Sequence, residues 1–275
     1  MSVVSVIIPA FRAEETVLRA VRSLKDQTHA AWQAILVSDD GSDYATFLAG
    51  CGFSDPRVVF TSTGRIGAGC HRARNAGLAQ VTGEAVTGLD ADDFYAPDRL
   101  ARLLPLATRF GAAADRLLCV DADSLAPLSD PLPDEDRVIA LDLTGFLQLD
   151  QPLMPLVMRA FVAPRHDGIE LAEDVIANAC LIDRCRTLGW LQADLYSYCI
   201  RRGSLAHSDE SGARFDAAYG AYLDRLDHGD GFGLTTPARM IVRDGLARKQ
   251  ALNQAFETAR RKNPALTFQA FVAGV

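Results

Sequence analysis

The sequence predicts an α/β fold with a mostly parallel sheet flanked by helices and a mainly helical C-terminal extension. The first half of the chain alternates short β-branched runs with segments of helical periodicity, a rhythm typical of strands joined by crossover helices. The first run, residues 3–8, is apolar without interruption, as expected for a strand that is buried on both faces of a parallel sheet. Beyond about residue 140, helical patterns dominate.

The first half begins with two units of strand and helix. Residues 13–26 are predicted to be helical, because apolar side chains recur there every three or four positions. A second strand, residues 34–37, ends in a run of turn-forming residues, 38–42. Residues 43–51 carry the next helical pattern, and residues 57–61 are predicted to form the third strand.

Two more units follow. Residues 67–80 have a helical pattern, and residues 84–89 form the apolar run of a buried fourth strand. Pro97 opens the next helix, residues 97–110, in the first turn, where proline is well tolerated. Residues 116–120 are predicted to form the fifth strand. Because ligands collect at the carboxyl ends of parallel strands, a functional site is expected at that edge of the sheet.

A stretch rich in Pro, Asp and Ser, residues 125–135, is interpreted as a boundary or an exposed loop. Beyond it the patterns predict a strand at residues 195–200 and helices at residues 141–149, 173–188, 213–226 and 237–262. The last helix carries seven basic residues. This composition leaves two interpretations, a helix packed on its own domain or one that docks on an anionic membrane surface.

Composition and charge narrow the class of protein. The 275-residue chain has a formal net charge of −7, which argues against a general nucleic-acid binder, since such proteins usually present a basic face. Its six cysteines include no Cys-x-x-Cys pair and are interpreted as reduced thiols of a cytosolic protein. The N-terminus lacks the features of a signal peptide, and no apolar run approaches the roughly 18 residues of a membrane span. We therefore expect a cytoplasmic protein, with a peripheral position at the inner face of the cell membrane left open.

Three carboxylates stand close together directly after the fourth predicted strand. They belong to Asp90, Asp92 and Asp93. Carboxylates so close to one another repel unless a cation or solvent offsets their charge. An Asp-x-Asp at a strand end suits Mg²⁺ or Mn²⁺, hard cations that take oxygen ligands and often bind substrate phosphates at the same time. The alternative interpretation is a solvated acidic turn.

Five short motifs follow one another along the first hundred residues. They are SVIIPAFRAE (5–14), SLKDQT (23–28), VSDDGS (37–42), ARNAG (73–77) and LDADD (89–93). In this order and spacing they resemble the inverting family 2 glycosyltransferases of GT-A fold. The resemblance is continuous over about residues 3–100 and returns in patches to about residue 208.

The resemblance implies an activity and a division of the chain. The activity is transfer of a sugar, with inversion and with help from Mn²⁺ or Mg²⁺, from a nucleoside-diphosphate sugar, expected to be UDP-linked. The acceptor would be a hydroxyl of a glycan or of a lipid-linked molecule. Residues 1–125 would form the nucleotide-sugar-binding half of the GT-A domain, residues 126–210 the acceptor-side half, and residues 211–275 the helical extension.

The resemblance also implies which residues contact the nucleotide sugar. They are Pro9, Ala10, Phe11, Glu14, Asp39, Arg74, Asp90, Ala91, Arg201 and His207. Phe11 would frame the nucleobase, although simple core packing is the alternative. Glu14 would line the pocket, although an acid at a helix start is also favoured by the helix dipole.

Four of these residues have more specific implied roles. Asp39 would accept the imino N–H of a uracil, with an Asx-turn as the alternative. Arg74 would reach the diphosphate or brace the acidic cluster, unless it is a surface arginine. Arg201 and His207 would contact the departing diphosphate, although such loop residues are often only solvated.

The metal ligands and the catalytic base follow from the same resemblance. Asp92 would bind the cation directly, and Asp93 would bind or support it. Asp174 would be the general base that takes the proton of the acceptor hydroxyl, with Glu173 as its neighbour or as an acceptor contact. The alternative is that Glu173 and Asp174 are only acids at a helix N-terminus, stabilised by its dipole.

Two rival functions remain at this stage. A dinucleotide-dependent oxidoreductase would share the alternation of strands and helices, but residues 9–14 contain no glycine and so lack the Gly-x-Gly-x-x-Gly phosphate cradle. A non-catalytic nucleotide-binding module would share the fold, because fold alone does not carry function. The retained acids at 90, 92 and 174 favour an enzyme.

Overall fold

A mixed β-sheet runs through the protein, and helices pack on both of its faces. The computed structural model describes residues 2–128, 130–131, 136–149, 151–166, 171–201, 211–263, 266 and 271–272. Within these residues the strands are β1 (Val4–Ala10), β2 (Trp32–Ser38), β3 (Val58–Ser62), β4 (Ala85–Gly88), β5 (Phe94–Tyr95), β6 (Ala112–Asp121), β7 (Val138–Leu141), β8 (Leu156–Met158) and β9 (Leu188–Ile200). The helices are α1 (Val17–Lys25), α2 (Tyr44–Gly50), α3 (Cys70–Leu78), α4 (Arg99–Phe110), α5 (Leu143–Gln148), α6 (Glu173–Cys185), α7 (Ser211–His228) and α8 (Thr236–Lys262).

The sheet is parallel in its first half and mixed in its second. Its order is β3-β2-β1-β4-β8-β6-β9-β5, with β7 also paired to β9. The strands β1 to β4 pair only in parallel with one another, as the alternating pattern predicts. Beyond β4, the β6–β9 pair is parallel, whereas β8 and the short strands β5 and β7 pair antiparallel. The expectation of a mostly parallel sheet therefore holds for the N-terminal half of the fold.

Alternate residues of β1 contribute to cores on opposite faces of the sheet. Val6 and Ile8 belong to the core formed with α1, α2 and α4, whereas Ile7 packs with Ala73 of α3. A further core joins β6 to helices α5 to α8, so that the helical extension packs on the second half of the sheet. Strands from before and after residue 125 belong to the same sheet, and the division of the chain at residues 125 and 210 stays a prediction.

The predicted helices and strands are present in the order expected, with shifted ends. The first helix begins at Val17, four residues after its predicted start, because residues 13–16 form a turn. The last strand is longer than predicted and begins at Leu188. Strands β5, β7 and β8 were not predicted from the sequence. They have two to four residues each, too few for a periodic pattern.

Several basic side chains of α8 bind the protein itself. Arg243 pairs with Asp227 of α7 at 2.7 Å. Arg248 donates to the carbonyl oxygen of Leu147 at 2.8 Å, and Lys249 binds a carbonyl of the same segment. These contacts favour the interpretation of a helix packed on its own domain, while membrane contact stays a prediction. No helix in the described part of the chain is long and apolar enough to cross a bilayer.

Candidate functional site

The polar segments that follow β1, β2 and β4 meet at one edge of the sheet. In the parallel register Ala10 lies beside Ser38, and Ile7 lies beside Gly88, so the chain leaves all three strands on the same side. The residues predicted to bind the nucleotide-sugar donor, at 9–14, 39 and 90–93, are therefore brought together. This is the carboxyl edge at which the sequence predicts a functional site.

Asp40 of the VSDDGS motif and Tyr44, two residues beyond that motif, hold the turn after β1. Phe11 is 47% exposed, so it is not a core residue, and the guanidinium of Arg12 lies 5.2 Å from its ring centroid. The next residue, Arg12, has a left-handed φ of 52°, and its N–H donates to Asp40. The Tyr44 hydroxyl donates to the same carboxylate at 2.8 Å and accepts from the N–H of Ala13 at 2.9 Å. Burial alone would raise the pKa of Asp40, but these hydrogen bonds lower it to about 2.

Other predicted pocket residues lie around this turn. Pro9 and Ala10 end β1. Glu14 is exposed and accepts a hydrogen bond from the Ser42 hydroxyl at 3.0 Å. Because α1 begins only at Val17, Glu14 lies outside its first turn, and the helix-dipole alternative does not apply to it.

Asp39 holds a glycine-rich loop, residues 63–69, against the sheet. Its Oδ1 accepts from the Thr63 hydroxyl at 2.7 Å and from the N–H of Ala68 at 2.9 Å. Its Oδ2 accepts from the N–H of Gly69, which precedes α3, at 2.9 Å. The buried carboxylate is thus already engaged within the protein. Recognition of uracil by Asp39 stays a prediction, and the uracil N–H would have to share Oδ2 with the N–H of Gly69.

The acidic loop, residues 90–93, is organised around Tyr196 of β9. The Tyr196 hydroxyl accepts from the N–H of Asp90 at 3.1 Å and donates to Asp93 Oδ2 at 2.8 Å. The other oxygen of Asp93 accepts from the N–H of Cys199 at 2.8 Å. Asp93 is fully buried by these partners. It is therefore placed to support the loop, and this conformation does not favour the prediction that Asp93 binds a metal directly.

Asp90 and Asp92 are more open, and each is paired with an arginine. Arg74 Nη2 lies 2.7 Å from Asp90 Oδ1, and Arg201 Nη2 lies 2.9 Å from Asp92 Oδ2. Burial, and then the negative charge of Asp90, raises the pKa of Asp92 despite its arginine. The same two causes hold the pKa of Asp93 well above its usual range. Both Asp92 and Asp93 therefore hold a proton more readily than an exposed aspartate does.

Arg74 connects the acidic loop to the predicted catalytic pair. Its Nη1 lies 3.9 Å from Glu173 Oε2, at the start of α6. Arg165 lies on the other side of Glu173, with Nη1 3.3 Å from Oε1. The order Asp90, Arg74, Glu173, Arg165 is therefore a continuous row of alternating charges across the site. Arg74 is buried in this row and is not a surface arginine.

Asp174 is half-buried beside Glu173 in the first turn of α6. Burial raises the pKa of Asp174, and the charge of Glu173 raises it further, whereas Arg165 and Arg74 lower it. A carboxylate with a raised pKa holds a proton more readily, which is the direction that a general base requires. Its position at the helix start also satisfies the alternative of a dipole-stabilised acid, so the catalytic role stays a prediction.

Two further predictions concern metal binding and the closing loop. Among the described residues, no group of three or more His, Cys, Asp or Glu side chains is arranged to hold a metal ion by itself. The side chains of Asp90 and Asp92 are 29% and 32% exposed, and their oxygens suit a hard cation that brings further oxygen ligands with it. His207 lies outside the described residues.

The structure adds supporting residues that the sequence did not single out. Arg19 of α1 donates from Nη2 to the backbone oxygen of Asp92 at 2.6 Å, 73 positions along the chain. Arg165 and Asn75 are bonded to each other across 90 positions. Tyr44, which braces the turn after β1, could have been noticed as a tyrosine two residues beyond the VSDDGS motif. Arg19 and Arg165 carry no comparable local signal.

Comparison with known proteins agrees with this geometry. The family model described as "Glycosyl transferase family 2" matches residues 5–127, which contain β1 to β6 and the acidic loop. The chain is 27% identical over 265 residues to the succinoglycan biosynthesis protein ExoO of Rhizobium meliloti, a match that covers 90% of this chain and 71% of that protein. It is 34% identical over 97 residues to WfgD of Escherichia coli, named a UDP-Glc:alpha-D-GlcNAc-diphosphoundecaprenol beta-1,3-glucosyltransferase. That match covers 35% of this chain and 38% of WfgD.

A solved structure gives the same fold. TarS of S. aureus (residues 1–349), in complex with UDP-GlcNAc, aligns with a TM-score of 0.68 and 16% identity. The alignment covers 91% of this chain and 73% of the TarS chain. At this identity the likeness establishes the GT-A fold and nothing more. The matched motifs, the named glycosyltransferase relatives and this fold agree with one another, and they identify residues 5–127 as a glycosyl transferase family 2 region of GT-A fold.

Proposed function

We propose that this glycosyltransferase moves a sugar from a UDP-sugar to a hydroxyl of a glycan or lipid-linked acceptor, with inversion at the anomeric carbon. The observation that carries the proposal is the row of charges from Asp90 through Arg74 to Glu173, because it joins the donor-side acids to the residue beside the candidate base, Asp174. WfgD is named for a UDP-linked donor and a diphospholipid-linked acceptor, and TarS was solved with UDP-GlcNAc. Both names support a UDP-sugar for this chain.

The acceptor side supplies the base. In the proposed step the oxygen of the acceptor hydroxyl attacks the anomeric carbon while its proton passes to the Asp174 carboxylate. The bond between that carbon and the diphosphate oxygen breaks, and its electron pair leaves with the nucleoside diphosphate. Arg201, at the end of β9 and beside Asp92, is placed to meet the charge that develops there.

A divalent cation fits the donor side. Asp92 would hold it together with the donor phosphates, and the cation would supply electrostatic stabilisation of the leaving diphosphate. Because the described residues offer no complete metal site of their own, we expect weak binding of Mn²⁺ alone and tighter binding with UDP. Calorimetry with Mn²⁺, with UDP and with both together measures this difference.

The decisive test is transfer by the wild type and by Asp174→Asn, after a thermal-shift screen of UDP-sugars with Mn²⁺ identifies a donor. The variant keeps the size of the side chain and removes the base, so we expect the transfer rate to fall by about 10²–10⁴-fold with little change in UDP affinity. Asp224→Asn, at an exposed carboxylate of α7, is the matched control and should transfer normally. NMR of the product's anomeric proton reads the inversion.

Three outcomes would count against the proposal. Retention at the anomeric carbon would exclude a single displacement with Asp174 as base. Full activity of Asp174→Asn would remove Asp174 from the mechanism. Binding of UDP without transfer or hydrolysis of any donor would favour the non-catalytic nucleotide-binding module.

A further inference from the structure

The side chain of Asn75 in α3 forms hydrogen bonds with both backbone groups of Arg165. Its Oδ1 accepts from the N–H of Arg165 at 2.7 Å, and its Nδ2 donates to the carbonyl oxygen of the same residue at 3.0 Å. A side-chain amide that binds both the N–H and the C=O of one residue forms the two hydrogen bonds that a neighbouring strand would form there. The loop that carries Arg165 is thereby fixed to the helix that carries Arg74.

The guanidinium of Arg165 is directed at Glu173. Nη1 lies 3.3 Å from Oε1 and 3.4 Å from Oε2 of that carboxylate. The Glu173 side chain is only 7% exposed, and a buried carboxylate is costly unless cations and hydrogen bonds compensate its charge. Arg165 and Arg74 provide that compensation.

We propose that Arg165, held in place by Asn75, is a positioning residue for the transfer reaction: it fixes Glu173 as an anion in the first turn of α6 and so presents the adjacent Asp174 to the acceptor. This inference rests on the proposed function. It assigns Arg165 to the acceptor side of the site, since its partners are Glu173 and Asn75 and not the acidic loop.

The charges around Asp174 predict the direction in which its pKa changes when Arg165 is removed. The charged groups that act on Asp174 are Glu173 of α6, Arg165 of the preceding loop and Arg74 of α3. The negative charge of Asp174 in turn raises the pKa of the Tyr219 and Tyr222 hydroxyls of α7. The negative charge of Glu173 favours protonation of Asp174, and the two arginines oppose it. Removal of Arg165 therefore raises the pKa of Asp174. The acidic limb of the rate profile then moves to higher pH.

The test compares Arg165→Gln, Arg165→Lys and Asn75→Ala with Arg159→Gln, an exposed arginine of the same segment. We expect Arg165→Gln to lower kcat/KM for the acceptor by about tenfold while the donor KM stays within about twofold. Lysine at this position should restore most of the rate, because it restores the charge. Asn75→Ala should give a smaller loss in the same direction, and the Arg159 variant should behave as wild type.

A titration that needs no turnover separates this inference from the proposed function. The carboxyl ¹³C signal of Asp174, assigned by its absence from Asp174→Asn, should titrate at higher pH in Arg165→Gln than in the wild type. A higher donor KM with an unchanged Asp174 titration would show that Arg165 binds the donor and overturn the inference. Unchanged kinetics and an unchanged titration would overturn it as well. A wild type that transfers no sugar would defeat the proposed function, while the titration would still decide whether Arg165 acts on Asp174.

Discussion

Replacing Arg99 with methionine removes a buried cation that packs against Tyr196, the residue that binds the acidic loop. Arg99 and Asp115 are fully buried and lie 2.8 Å apart. The guanidinium also donates to the carbonyl oxygen of Met154 at 2.6 Å and packs against the rings of Tyr95 and Tyr196, at 4.2 and 5.2 Å from their centroids. Tyr196 in turn binds the acidic loop, so a change at Arg99 affects stability and donor site together.

The size of the effect follows from what the variant leaves behind. Methionine fills part of the volume but leaves Asp115 as a buried carboxylate without a cation. Asp115 Oδ2 already has no hydrogen-bond partner in the described structure. Removing one member of a buried ion pair costs about 3–5 kcal/mol of unfolding free energy, far more than the loss of an exposed pair. We therefore expect Arg99→Met to lose roughly 4 kcal/mol at neutral pH.

The loss should depend on pH, with a sign set by Asp115. Burial raises the pKa of Asp115 in the folded wild type, and Arg99 opposes this shift. Without Arg99 the folded pKa rises further above the unfolded value. The folded state then binds more protons than the unfolded state, so stability falls as pH rises from the unfolded pKa through the folded one. The variant should be less destabilised at pH 5 than at pH 7.5.

Urea unfolding followed by circular dichroism at both pH values measures these effects. The double variant Arg99→Met with Asp115→Asn removes the stranded charge, and should regain part of the stability and lose the pH dependence. A loss below about 1 kcal/mol for the single variant, the size typical of an exposed pair, would refute the reasoning. So would a loss that is the same at both pH values.

Two further predictions concern the donor site. Tyr196→Phe removes the hydroxyl shared by Asp90 and Asp93, which should cost about 1–3 kcal/mol in urea unfolding and weaken UDP binding in the presence of Mn²⁺; unchanged stability would mean that this hydroxyl does not hold the loop. Arg201→Gln should weaken UDP binding by about tenfold, the loss expected for one charge-assisted contact to a phosphate, and flatten its salt dependence. Arg186→Gln, at an exposed arginine, is the matched control for that calorimetry, and equal affinities of the two variants would exclude a role for Arg201.

The first half of the fold could be predicted because each element has its own local signal. A strand buried on both faces, such as β1, is a continuous apolar run, and helix α1 shows its buried face in the spacing of its apolar residues. The mixed half could not be predicted in the same way. The pairing of β8 between β4 and β6 depends on contacts distant in sequence, and three residues are too few to show which partner they choose.

The candidate site shows the same difference between residues with a local sequence signal and residues whose contacts are distant in sequence. The acids of the LDADD motif and the arginine of ARNAG are visible in the sequence because they fall at strand or helix ends within recognisable motifs. The supporting contacts join residues far apart in the chain: Arg19 binds the backbone oxygen of Asp92 across 73 positions, and Arg165 is bonded to Asn75 across 90 positions. Neither arginine belongs to a motif. Asp39 shows a second limit: its place in a motif was read from the sequence, whereas its three hydrogen bonds to the 63–69 loop were not.

The two arginines that pair with the acidic loop are not equivalent, because their surroundings differ. The side chain of Arg74 is 11% exposed and has carboxylates on both sides, so moving it would strand two acids. Arg201 is 48% exposed and pairs with one partly exposed aspartate, an interaction worth less than about 1 kcal/mol. We therefore expect a donor diphosphate to draw Arg201 away from Asp92 at little cost, which would free Asp92 for the cation proposed to accompany the phosphates. Arg74 would then be a fixed part of the site, whereas the exchange of partners at Arg201 would couple donor binding to cation binding.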